Sequence, residues 1–224
     1  MWERPPGRDQ RRRNRMTRPR INSKDLLIGV LLATLPWTSA LGQAQEPSAV
    51  YGTPMMCIEA LHEGLISLSF AQNAGDVAQQ AEDLRPLIVA THDLQYIAEF
   101  TIRRHWANLS DDEGAAFVQS FRRLSVMTYS SRFGALSADS LSIHESRVLA
   151  SGRAEVSASI KRAEGEDIPL EYILHENDGG WRIINVVADG VSDLALKRAE
   201  YQRVLSDGSI ADLIEALEQQ IAAL

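Results

Sequence analysis

The sequence predicts an α+β domain, an antiparallel sheet of about four strands covered by N-terminal and C-terminal helices. Three observations predict it. Apolar residues recur at helical spacing from Met55 to Leu136, alternate with period two between Leu141 and Val187, and return to helical spacing up to Leu224. With 224 residues, 45% apolar and 24% charged, the chain suits one ordinary domain with a tail, and a disordered, collagen-like or disulfide-scaffold protein is excluded.

The head comes first. Residues 1–44 hold nine basic residues against three acidic ones, net +6, which leaves 14 against 27, net -13, for the rest. Behind the basic stretch, Leu26 to Leu35 is an apolar run, followed by small residues ending at Ala40 to Ala44. A positive start, a short apolar core and an A-x-A-like end are the parts of a secretory signal peptide. The core falls short of the roughly 20 apolar residues that span a bilayer, and an uncleaved anchor is the alternative. Met16 would also serve as a start, because Arg18, Arg20 and Lys24 still follow it. The acidic body excludes nucleic acid as a partner, since phosphate neutralisation needs a basic surface.

Residues 45–54 read as a flexible lead, and 55–224 as the domain. Met55, Ile58, Leu61, Leu65 and Leu68 mark a first helix carrying the single Cys57, which has no intramolecular disulfide partner and reads as a small buried apolar residue. A second helix runs from Asp76 to Ile88, with Pro86 as a kink or break. Asp93 N-caps a third, ending near Trp106. Ser110-Asp111-Asp112-Glu113 is a capping box that opens a long helix to about Leu136, with a broad apolar stripe through Phe117, Phe121, Leu124, Met127, Tyr129 and Phe133.

Leu141 to Leu149 forms the first strand. Ala154, Val156, Ala158 and Ile160 then alternate with polar residues, as do Ile168, Leu170, Tyr172 and Leu174. Asn177-Asp178-Gly179-Gly180 is a hairpin turn into Trp181 to Val187. Two helices close the chain, from Leu194 to Leu205 and, after Gly208, from Ser209 to Leu224.

No enzymatic template fits. His62-Glu63, His144-Glu145 and His175-Glu176 each lack the second His of a zinc-binding helix, so the five histidines read as surface or capping groups and no metal or other cofactor is expected. Ser192, in Gly190-Val191-Ser192-Asp193-Leu194, lacks the closing Gly of a nucleophile elbow and reads as an N-cap. The acidic residues read as a solvated face.

Several ordered fragments carry a resemblance. They are Trp106-Ala107-Asn108-Leu109-Ser110, Phe117-Val118-Gln119-Ser120-Phe121, Thr128-Tyr129-Ser130-Ser131, Ile168 to Leu174, Gly180-Trp181-Arg182-Ile183, Val186 to Ser192, and Asp207 to Ile214. In order and spacing they resemble the MlaC or toluene-tolerance family of periplasmic lipid carriers, over about two thirds of the chain. Gly190 to Arg198 is more similar to the hopanoid-associated HpnM branch. Asn185 stands where the family commonly has Asp, and Arg103 where Gly is usual.

The resemblance implies a periplasmic carrier, not an enzyme, that holds a phospholipid or hopanoid in an apolar pocket between helices and sheet. It would move that lipid between an inner-membrane transporter complex and an outer-membrane lipoprotein complex. Phe117, Phe121, Leu124, Met127, Tyr129, Phe133, Val156, Ala158, Leu170 and Tyr172 are the candidate lipid-binding residues, with the small side chains of the second strand leaving space. The same residues would also make a filled core, and the domain would then be an adaptor of a membrane complex. A hydrolase would instead need a Ser, His and carboxylate in mutual reach. Arg103, Arg104, Arg122 and Arg123 read as exposed helix arginines, with a lipid phosphate as their alternative partner.

Overall fold

The computed structural model describes residues 50–71, 77–133, 136–137, 139–162 and 164–224. The expected signal segment and most of the lead lie outside the described residues. At the end of the lead, Tyr51 bridges Gly180 in parallel and its carbonyl accepts the Trp181 N–H at 2.9 Å, so this part of the lead is tied to the sheet.

The helices are α1 (Pro54–Ala71), α2 (Val77–Thr91), α3 (Leu94–Thr101), α4 (Arg103–Trp106), α5 (Asp111–Phe133), α6 (Asp193–Asp207) and α7 (Ile210–Ala222). The strands are β1 (Leu141–Val148), β2 (Ala154–Ile160), β3 (Ile168–Asn177), β4 (Gly180–Ala188) and β5 (Val191–Ser192), antiparallel in the order β1-β2-β3-β4-β5. Five strands replace the expected four. The fifth is a two-residue return after the turn at Asp189 and Gly190, both at positive φ, too short for an alternation to announce it.

Two helix readings also change. Pro86 lies inside α2 and does not break it. The expected third helix is two, interrupted at Ile102 with φ −115° and ψ 23°, where a fully buried side chain holds a non-helical backbone. The caps stand as read. The Ser110 and Glu113 side chains bond each other's backbone N–H, and Ser192 Oγ accepts from the Ala195 N–H at 3.1 Å. Asp93 accepts from the Tyr96 N–H at 3.0 Å, and its second oxygen takes His175 Nε2 at 2.8 Å and Asn177 Nδ2 at 3.0 Å, which ties α3 to the β3–β4 turn. Burial works against this carboxylate, yet the donated hydrogen bonds outweigh it and hold the group below its ordinary value.

The helices cover one face of the sheet. α1 packs on β1 and β2, α6 and α3 pack on β4, and α5 packs against α2, α3 and α7. Phe117, Phe121 and Tyr201 join α5 to α6 through edge-to-face contacts at 6.1 and 6.5 Å, a geometry worth about 0.5–1.5 kcal/mol per pair beyond burial. Cys57 is fully buried, donates to the Thr91 carbonyl at 3.4 Å and is pushed up to about 12 by burial, so it stays a protonated thiol.

Candidate functional site

Between α3, α5, α6 and the β3–β4 half of the sheet the domain keeps a cavity of about 490 Å³, within the range of small-molecule sites. Its wall is built by three periodicities. Along α5, Phe121, Ser125, Thr128, Tyr129, Arg132 and Phe133 follow the 3–4 spacing of one helix face. Along β3, Ile168, Leu170 and Tyr172 follow the alternation of one sheet face. On β4 the alternation fails. Leu174 pairs with Ile183 and Ile173 with Asn185, so Ile184 is an extra residue, and this bulge lets Ile183, Ile184, Asn185 and Val186 all line the cavity in succession.

The hydroxyls of the α5 wall are satisfied by their own helix. Ser125 donates to the Phe121 carbonyl at 2.8 Å and Thr128 to the Leu124 carbonyl at 2.7 Å. These short side chains therefore leave room without presenting free donors.

A polar spot interrupts the apolar lining. Tyr129 Oη lies 2.8 Å from His92 Nε2, and Tyr172 Oη lies 3.0 Å from His62 Nε2. Burial depresses both imidazoles to about 4, so both are neutral near neutral pH. These two histidines are buried in the interior and correct the expectation of surface or capping groups. At the rim, Val191 and Leu196 are exposed apolar residues, and Lys197 is held by both oxygens of Asp193 at 2.6 Å.

Of the candidate residues named from the sequence, Phe121, Tyr129, Phe133, Leu170 and Tyr172 line the cavity. Phe117 sits instead in the cluster with Tyr201, and Leu124 and Met127 pack in the core without reaching the cavity. Val156 and Ala158 are buried on β2, which α1 contacts, and neither lines this cavity. Sequence reasoning missed His92, Leu94, Ile97, the β4 bulge and the start of α6. Asp93 and Ser192, read as helix caps, pointed near that region.

The four arginines Arg103, Arg104, Arg122 and Arg123 are exposed and away from the cavity, with Arg123 paired to Glu218 at 2.8 Å. The cations that do line it are Arg132 and Lys197. Among the described residues no group of three or more His, Cys, Asp or Glu side chains is placed to hold a metal ion, and no helix is long and apolar enough to cross a membrane.

A family model described as MlaC protein matches residues 65–219. The chain belongs to the MlaC family. Among solved structures, a phospholipid-binding protein from Ralstonia solanacearum, determined in complex with a phospholipid, shares the fold at a TM-score of 0.64 with 16% identity, over 75% of this chain and 94% of that one. No curated protein sequence matches the chain. The MlaC-family fold thus comprises this antiparallel sheet with its flanking helices, and the cavity sits between them.

Proposed function

We propose that the protein is an exported lipid carrier of the periplasm that binds one lipid reversibly and moves it between the inner and outer membranes. The cavity between α5 and the β3–β4 sheet, in a chain of the MlaC family, carries this reading. Each CH₂ withdrawn from water contributes roughly 0.8 kcal/mol, so a lipid crossing an aqueous compartment needs an apolar enclosure. The phospholipid held by the Ralstonia solanacearum relative supports the same class of cargo. An adaptor with a filled core would lack this space. Phe121, Tyr129, Phe133, Leu170 and Tyr172 are the proposed lipid contacts from the sequence, joined by Ile97, Ile184 and Leu194.

Donor and acceptor would be an inner-membrane transporter complex and an outer-membrane lipoprotein complex, and no covalent step or cofactor is needed. Direction comes from the donor and the acceptor, while the carrier holds its cargo about as well as the membranes do. The cargo is a phospholipid or a hopanoid. The segment similar to the hopanoid-associated branch, Gly190 to Arg198, supplies Val191, Asp193, Leu194, Leu196 and Lys197 to the wall, and Asp193 already neutralises Lys197 beside it.

Solvent extraction of the purified mature protein followed by mass spectrometry tests the proposal. Hopanoid or phospholipid at about one per protein is the expected result. A lipid-free extract from a protein that also takes up no lipid from vesicles would overturn it.

A further inference from the structure

The orientation of the buried His92–Tyr129 pair says what kind of cargo the cavity takes. His92 Nδ1 lies 3.2 Å from the Ile88 carbonyl and 3.0 Å from Thr91 Oγ1. Thr91 already donates its one hydroxyl proton to the Leu87 carbonyl at 2.8 Å, so both neighbours of Nδ1 are acceptors. A neutral imidazole has a single ring proton, and these two acceptors place it on Nδ1. Nε2 is then a bare lone pair, and Tyr129, 2.8 Å away, must donate its own proton to it. What remains on Tyr129 Oη is lone pairs. Ser125 and Thr128 have likewise turned their hydroxyl protons to the helix backbone, so this stretch of the α5 wall offers acceptors and no free hydroxyl donor.

We infer that the cavity selects lipids that bring a hydrogen-bond donor, a hydroxyl or an amide N–H, to Tyr129. A cargo with an ester or ether oxygen against Tyr129 Oη would set lone pairs against lone pairs with no proton between them, and would lose its water in doing so. A cargo hydroxyl supplies the missing proton. This inference rests on the carrier reading above and adds to it a rule for the chemistry of the cargo.

The test compares two lipids that differ only in the donor, hexadecanol and hexadecyl methyl ether, by displacement of bound cis-parinaric acid from the mature protein. The alcohol should displace the probe at about tenfold lower concentration than the ether. In Tyr129→Phe, checked for folding by its melting temperature, the preference for the alcohol over the ether should fall below about twofold, because the Tyr129 oxygen that accepts the cargo hydroxyl has gone. Equal displacement by the two lipids in the unmodified protein overturns the selection rule and leaves the carrier reading standing. A preference that persists in Tyr129→Phe overturns the assignment to Tyr129. Failure of the probe and of both lipids to bind at all overturns this inference together with the carrier reading.

Discussion

Mild acid should destabilise this domain through two imidazoles, His62 and His92. Both are buried and neutral, depressed from the ordinary 6.5 to about 4, chiefly by desolvation, although the Ile88 carbonyl and the Asp193 charge pull His92 slightly back. The unfolded chain takes up protons at these positions from about pH 6.5 downward, whereas the folded chain does not until about pH 4. Stability is therefore fully present above pH 6.5, falls as the pH drops through that window, and stops falling from this cause below pH 4. At pH 5 the linkage amounts to about 2 kcal/mol for each histidine, and at pH 4 or below it approaches about 3 kcal/mol each, as orders of magnitude. Against a total of about 5–15 kcal/mol for a domain, that is a large share.

The window is clean at its upper end. Asp93, Asp139 and Asp212 are held below their ordinary values and add their losses only at lower pH. Glu171, pushed up by partial burial and by the neighbouring Glu155, acts in the opposite sense at the lower edge. Urea unfolding midpoints followed by circular dichroism from pH 7.5 to 4.5 would show the slope. A midpoint that stays level between pH 6.5 and 5 refutes the buried-neutral assignment, and so does an unchanged slope in the His62→Gln, His92→Gln double variant.

Three further predictions follow from single contacts. Ser125→Leu places apolar bulk in the cavity and sacrifices only a hydroxyl bonded to its own helix; stability should change by less than about 1.5 kcal/mol while lipid per protein falls below half, and full lipid loading in the extract would contradict it. Asn185 Oδ1 accepts from the Leu194 N–H and the Ser192 hydroxyl, both at 3.1 Å, so Asn185→Ala should cost about 1–2 kcal/mol in urea unfolding by loosening the β5–α6 junction. Gly180 has φ 88°, and an added Cβ would meet the Tyr51 carbonyl oxygen at 2.6 Å. Gly180→Ala should therefore cost about 3 kcal/mol, read as a lowered melting temperature.

The legible parts of this protein are those decided within a few residues of chain. Ser110 with Glu113, Ser192 with Ala195, and Asp93 with Tyr96 are caps closed over three positions, and the Asn177–Gly180 turn fixes its own hairpin. Alternation through Leu170, Tyr172 and Leu174 likewise follows from the geometry of a strand, whatever it packs against. The resemblance to the MlaC family added the prospect of a cavity, which periodicity could not separate from a filled core. Tertiary structure decided which apolar residues meet empty space. Phe121 lines the cavity and Phe117, one helical turn earlier, does not, although the Tyr201 ring from α6 meets both. The β4 bulge, the two-residue β5 and the contact of His92 with Tyr129 across 37 residues arise only when α5, α6 and the sheet meet. Caps and alternation are local hydrogen-bond and steric choices, legible one element at a time. A cavity is the volume left over when several elements fail to close on one another, and no single segment contains that information.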